Sequence, residues 1–164
     1  MRIIILIVIL ISYSSCYTYK VFPKAFRDQS APRGVVKAHV LNPDLKKEFQ
    51  ILKLSGLFEL TSLPNAEVTI SLDTLQRSLV CGQPLVASMV SLGQIPVYLP
   101  DRYIFRFQEH KNDQTIAHGL ELQVAKRIWF WDLFNTKKQF TPKAAIALRG
   151  AYLSSDGSFR NLSN

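Results

Sequence analysis

The sequence predicts an all-β protein, an antiparallel β-sandwich or a partly open barrel of roughly eight or nine short strands. Three observations lead to this prediction. Apolar and polar residues alternate in several stretches, such as residues 68–72, and this pattern is typical of strands with one buried face. Turn-forming residues separate these stretches at intervals of about ten residues. No longer stretch keeps the apolar stripe of an amphipathic helix.

Residues 1–16 have the pattern of an export signal. Arg2 precedes an unbroken apolar run over residues 3–11, and small polar residues follow before Cys16. The run is much shorter than the ~20 residues that a helix needs to cross a bilayer. We therefore expect the segment to direct the chain across a membrane and to take no part in the fold.

The residues before Cys16 allow two kinds of processing. Ser14 and Ser15 suit a bacterial lipoprotein signal, in which cleavage falls before the cysteine and its thiol then carries a lipid. The alternative is ordinary secretion, with cleavage after Ser14 or after Cys16. If Cys16 stays in the secreted chain, it can form a disulfide with Cys81, the second of the two cysteines.

The exported part is basic and large enough for one domain. The sequence has 20 Lys and Arg against 12 Asp and Glu, for a net charge of +8, and only Arg2 lies within the signal, which leaves +7. A spread positive charge favours contact with anionic lipid or glycan surfaces. The 48% hydrophobic content permits a single core, which we place in residues 35–153, with a polar tail over 154–164.

The chain before this domain reads as a linker, and the first strand follows it. Residues 17–34 contain two prolines and no sustained period, which predicts an extended tether. Residues 34–41 predict a strand that ends at Asn42-Pro43, and residues 44–49 predict one helical turn.

The remaining strands follow from the same alternation. Residues 52–60 and 68–72 predict two half-buried strands joined by a turn at residues 62–65. Further strands are predicted over residues 85–92, 95–99, 103–107, 116–124 and 144–153. Between the last two lies RIWFWDLF, residues 127–134, which is apolar on both faces.

The sequence offers no catalytic or metal-binding pattern. His39, His110 and His118 are far apart and have no spacing typical of metal ligands, and we interpret His39 and His118 as structural. Cys81 has no neighbouring residue that marks it as a nucleophile. We therefore predict a protein that is not an enzyme and that has no catalytic residue, cofactor or metal.

Aromatic residues alternate with arginine over residues 102–107, a pattern that can stack on single-stranded nucleic acid. An exported protein rarely meets that ligand, and aromatic residues in strands usually belong to the core. We therefore predict no nucleic-acid partner.

The doubly apolar segment predicts a binding site for another protein. A strand with large apolar residues on both sides cannot bury both sides against one core, so one set of rings contacts something else. The alternative is a central strand of a two-layer sandwich. We predict that the partner-binding residues are Trp129, Trp131, Leu133 and Phe134.

Four stretches occur in a characteristic order, LSGLFEL at 54–60, LPNAEVTISLD at 63–73, GQIPVYL at 93–99 and the aromatic strand at 103–107. They resemble the pilotins of type III secretion, which are small lipoproteins that chaperone a secretin, and related small envelope lipoproteins. The resemblance implies a β-sandwich, a lipid anchor at Cys16 on the periplasmic face of the outer membrane, and a groove for an amphipathic segment of the secretin C-terminus.

We therefore expect an exported, non-enzymatic binding protein, most simply an envelope lipoprotein that binds and pilots a membrane or secretion-system partner through an apolar groove. Two alternatives remain open. One is a secreted β-sandwich recognition protein without a lipid, of viral or eukaryotic origin. The other is a small lipid-binding barrel.

Overall fold

The computed structural model describes residues 17–30, 32, 35–64, 66–78, 96–112, 114–129 and 139–155. The predicted export signal, the strand predicted over 85–92, Cys81 and most of the polar tail lie outside these residues. The described elements are strands β1 (Tyr17–Phe22), β2 (Val36–Val40), β3 (Phe58–Thr61), β4 (Val68–Leu72), β5 (Gln76–Ser78), β6 (Val97–Lys111) and β7 (Gln114–Ile128), helices α1 (Lys46–Ser55) and α2 (Phe140–Ser154), and a 3-10 turn (Lys24–Arg27).

The all-β fold class is confirmed, since the strands form one open sheet of seven with the order β1-β7-β6-β4-β2-β3 and β5 paired beside β4 on β6. The pairing is mixed, whereas we predicted an antiparallel one. Strand β2 runs parallel to both β3 and β4, and the other pairs are antiparallel. Parallel neighbours need a crossover, and α1 supplies it between β2 and β3.

One face of the sheet forms the core. Phe105 and Phe107 of β6 and Leu122 and Val124 of β7 are fully buried on this face. The two helices cover it, with α2 packed against β7 and β1 and against α1. Aromatic contacts join the layers, as in the Tyr103 and Phe140 rings, whose centroids are 4.8 Å apart. In the part of the chain that the structure describes, no helix is long and apolar enough to cross a membrane.

Helix α1 replaces the single turn predicted over 44–49 and the first half of the strand predicted over 52–60. Its buried residues are Glu48, Ile51, Leu52 and Ser55, and this spacing of three and four is helical. Gly56 then takes a left-handed conformation with φ 67° and ends the helix. The alternation that we read as a strand over 52–60 therefore belongs to two elements, and strand β3 begins only at Phe58.

Helix α2 corrects the strand that we predicted over residues 144–153. Alanine is the best helix former, and Ala144, Ala145 and Ala147 are buried together with Leu148 in this helix. Residues 144–148 are all apolar and therefore show no period. A buried strand and a buried helix look alike in such a run.

Strand β1 corrects the first part of the tether that we predicted over residues 17–34. It pairs with β7 from Tyr17 opposite Ile128 to Phe22 opposite Gln123. Val21 is buried because β1 alternates like the other strands. The chain that directly follows the predicted export signal is therefore part of the sheet. The strands predicted over 34–41, 68–72, 103–107 and 116–124 are present as β2, β4 and parts of β6 and β7.

Candidate functional site

In the described part of the chain, no helix packs on the face of the sheet opposite α1 and α2, and we call it the open face. In the β6–β7 hairpin Tyr98 pairs with Arg127 and Arg102 pairs with Gln123, and these four side chains share the open face. Lys20 of β1 lies on the same face. All five residues are half-buried or exposed. This face therefore presents charged and aromatic side chains while the other face forms the core.

A concave site lies on this open face, across strands β1, β6 and β7. Its volume is about 340 Å³. Phe22 stands at its side with 39% of its surface exposed, although a large apolar side chain is normally covered. We call this site the basic aromatic groove. It is lined by Phe22, Tyr98, Pro100, Arg102, Gln123 and Ala125, together with Asp101 and Val124.

Two cations flank the phenol of Tyr98. The Lys20 ammonium nitrogen lies 4.4 Å from the centre of the Tyr98 ring, which is within the range of a cation–π contact. Hydrogen bonding from Lys20 lowers the pKa of the Tyr98 hydroxyl, Arg127 acts in the same direction, and burial opposes them. The surroundings of Tyr98 therefore favour negative charge.

Two arginines stack on rings near the groove, and one of them is the Arg127 beside Tyr98. The Arg27 guanidinium carbon lies 5.6 Å from the Phe22 ring centre, and its Nε donates a hydrogen bond to the Val21 carbonyl at 3.0 Å. The Arg127 guanidinium carbon lies 5.0 Å from the Trp129 ring. The open face thus repeats one motif, a cation resting on an aromatic ring, along the side where β1 joins β7.

The two carboxylates near the groove differ in burial and in the strength of their ion pairs. Arg102 contacts Glu121 at 3.4 Å, with 54% and 47% of the two side chains exposed. An exposed pair of this kind contributes about 0–1 kcal/mol, so another anion can replace Glu121 on Arg102 at little cost. Asp101 is buried and binds Arg77 at 2.7 Å. Another anion can therefore replace Glu121 on Arg102, whereas the ion pair of Asp101 with Arg77 is part of the folded structure.

Only part of the predicted binding segment lies within the described residues. Trp129 follows β7 and is half-buried. Trp131, Leu133, Phe134 and the predicted lipid attachment residue Cys16 lie outside the described residues, so their roles stay predictions. Tyr17, the residue after Cys16, pairs with the residue before Trp129. The residue next to Cys16 and the residue next to Trp129 are therefore paired in the sheet.

The histidines each have a hydrogen-bond partner. His118 is 3.1 Å from Glu109 and stacks on Phe107 with 4.4 Å between the ring centres. His39 contacts the Thr61 carbonyl oxygen at 3.3 Å. The third, His110, contacts the hydroxyl oxygen of Thr115 at 2.8 Å. In the described ranges no group of three His, Cys, Asp or Glu side chains is placed to hold a metal ion.

The sequence alone did not identify Lys20, Tyr98 or Arg102 as site residues. Lys20 is far from the other two in the chain and comes close to them because β1 and β6 both pair with β7. A signal was present in the alternation of Lys20 and Phe22 with Tyr19 and Val21, which assigns the first pair to a solvent face.

No protein-family model and no curated protein matches the sequence. Among solved structures, a minor lipoprotein from Acinetobacter baumannii aligns with 76% of this chain and 92% of its own, at 14% sequence identity and a TM-score of 0.36. We therefore infer the function from the geometry of the open sheet face.

Proposed function

We propose that this chain is an exported, non-enzymatic binding protein that holds an anionic, partly apolar partner in the basic aromatic groove. The observation that carries the proposal is a concave site with aromatic rings and Arg102 in its lining and with Lys20 and Arg127 beside Tyr98, on the face that the core does not use. Phe22 and Pro100 offer apolar contact, while Lys20, Arg102 and Arg127 offer positive charge.

The strands that bear the groove are held in place from the other side of the sheet. Strands β6 and β7 pair along all of their length, and Tyr103 and Phe105 anchor β6 in the core. The backbone of such strands needs little ordering when a partner arrives, and a pre-ordered backbone lowers the entropic cost of binding.

In its finer form, the proposal makes the chain an envelope lipoprotein with its lipid on Cys16. The export pattern of residues 1–16 supports this, and so does strand β1, which begins at Tyr17. With so short a connection, a lipid on Cys16 would keep the sheet at the membrane.

The resemblance to pilotins supports a protein segment as one partner class. An amphipathic segment with acidic residues suits the groove, because its apolar side can contact Phe22 and Pro100 while its carboxylates replace Glu121 on Arg102. Piloting a secretion-system protein would then consist of holding such a segment at the membrane.

Site-specific photocrosslinking in cells tests the binding site. A photoreactive residue at Gln123, an exposed groove position, should give adducts. The matched control is the exposed Lys37 of β2, about 14 Å from β7 by the spacing of three strands. Equal labelling at both positions, or none at Gln123, would overturn the proposal, and the mass of the adduct distinguishes a lipid from a protein.

A further inference from the structure

We infer that the ligand of the basic aromatic groove is the anionic phospholipid surface of the membrane, with lipid phosphates held by Lys20, Arg102 and Arg127. This inference rests on the groove being the binding site, as proposed above, and it names the partner class.

The cations around the groove are arranged for a phosphate. Arg127 lies opposite Tyr98 on β7, and Lys20 reaches the Tyr98 ring from β1, one strand further along. Arg102 lies two residues past Pro100 on the same face. A phosphate has several acceptor oxygens and can therefore contact more than one of these donors. The exposed Glu121 is the anion now on Arg102, and a phosphate would take its place.

The rings of the groove have the composition of a membrane interface. Tyrosine and tryptophan combine an apolar body with a polar end, and they are enriched where one end is apolar and the other is in water. Tyr98 and Trp129 are half-buried and Phe22 is 39% exposed, so all three rings reach the surface. Lys and Arg side chains beside them can lay their stems on the rings while the charged ends stay hydrated.

The position of the groove in the chain favours a membrane over a partner in solution. Lys20 is four residues after Cys16, and an extended chain of that length spans at most about 14 Å. A lipid on Cys16 would therefore hold Lys20 within about 14 Å of the headgroups, and their charges attract when the gap falls to the Debye length of about 8 Å. A basic patch beside the lipid would add electrostatic attraction to anionic headgroups.

Vesicle co-sedimentation of the full chain tests the inference. Every protein carries Cys16→Ser, so that attachment of a lipid plays no part and the leader contributes equally to all. Vesicles of phosphatidylglycerol in phosphatidylcholine are compared with phosphatidylcholine alone. The double variant Lys20→Gln/Arg127→Gln should bind the anionic vesicles about 30-fold more weakly than its parent. The matched control Lys37→Gln/Lys53→Gln removes the same charge from exposed positions elsewhere and should change binding by less than about 3-fold.

Three results would overturn the inference. One is equal binding of the parent to both kinds of vesicle, and another is an equal loss in the groove and control variants. The third is displacement of the protein from anionic vesicles by glycerol 3-phosphate at matched ionic strength, which would show that the ligand is a soluble phosphate. If the double variant fails to melt cooperatively, Lys20→Gln alone should still lower binding about 5-fold.

A parallel arm with polyglutamate separates this inference from the proposed function. Suppose that the groove variants show that the protein binds polyglutamate through the groove more strongly than it binds anionic vesicles. The groove would then still be the binding site, and its ligand would be an acidic protein segment instead of a lipid. Failure of the photocrosslinking at Gln123 would instead remove the site itself.

Discussion

The side-chain amide of Asn42 binds the backbone of the last residue of β4. The neighbouring strand β2 ends at Val40 and does not reach this position. Its Nδ2 donates to the Leu72 carbonyl at 2.6 Å, and its Oδ1 accepts from the Leu72 N–H at 2.8 Å. One side chain therefore satisfies both backbone groups of a residue that is 2% exposed. The Asn42-Pro43 pair that predicted the end of a strand thus also stabilises the neighbouring strand.

Asn42→Ala should lower the free energy of unfolding by about 1–3 kcal/mol, because it leaves two backbone groups of Leu72 without partners. Asn42→Asp keeps the acceptor for the N–H but places a carboxylate oxygen against the Leu72 carbonyl, so it should also destabilise the fold. Urea denaturation followed by circular dichroism measures both. Equal stability of Asn42→Ala and the parent would show that water replaces the amide.

At the scale of elements, the N-terminal segment is fixed to the body twice. Strand β1 pairs with β7, and the 3-10 turn that follows it packs against α2. In this second contact the Phe26 ring lies over Gly150, where an added Cβ would be 2.2 Å from the Phe26 Cγ. The absence of a side chain at residue 150 therefore lets the turn approach the helix.

Gly150→Ala should lower the free energy of unfolding, because overpacking costs about 1–3 kcal/mol and the better helix propensity of alanine returns only ~1 kcal/mol. The same substitution in a Phe26→Gly background should be neutral or stabilising, since that variant removes both the ring and the Cβ that the new methyl group would meet. Thermal and urea unfolding of the four proteins give this double-mutant cycle. An equal cost of Gly150→Ala in both backgrounds would contradict the contact.

For the whole molecule, the division into a core face and an open face explains which elements were predictable. Strands β4 and β6 alternate between one buried and one solvated side, so their sequences identify them. Helix α2 buries a run of alanines, and such a run has no contrast from which a period can be read. Strand β1 was missed because Pro23 and Pro32 suggested a linker, although six residues of alternation precede them.

The site was harder to predict than the strands. The sequence drew attention to Trp129 because its neighbours are apolar on both faces. The groove, in contrast, depends on the register of β1 and β6 against β7, which places Lys20 and Tyr98 near Arg127. Register between distant segments cannot be read from local alternation, since the same pattern fits several pairings.

Acylation of Cys16 is the prediction that belongs to the whole molecule. In a bacterial host, cells given labelled palmitate should label the chain, and intact mass should show loss of residues 1–15 with a lipid on Cys16. Cys16→Ser should abolish the label, whereas Cys81→Ser should leave it unchanged. A Cys16–Cys81 disulfide in non-reducing peptide maps would favour the secreted alternative instead.

The antiparallel pairing of β1 with β7 also determines how this protein bears a mechanical load. A pull on the chain before Tyr17 acts along the axis of β1, while the backbone hydrogen bonds to β7 lie across that axis. The six paired positions from Tyr17 to Phe22 are then loaded together in shear, instead of opening one after another like a zipper. The pairing of β1 with β7 therefore resists a force that is applied to the chain before Tyr17.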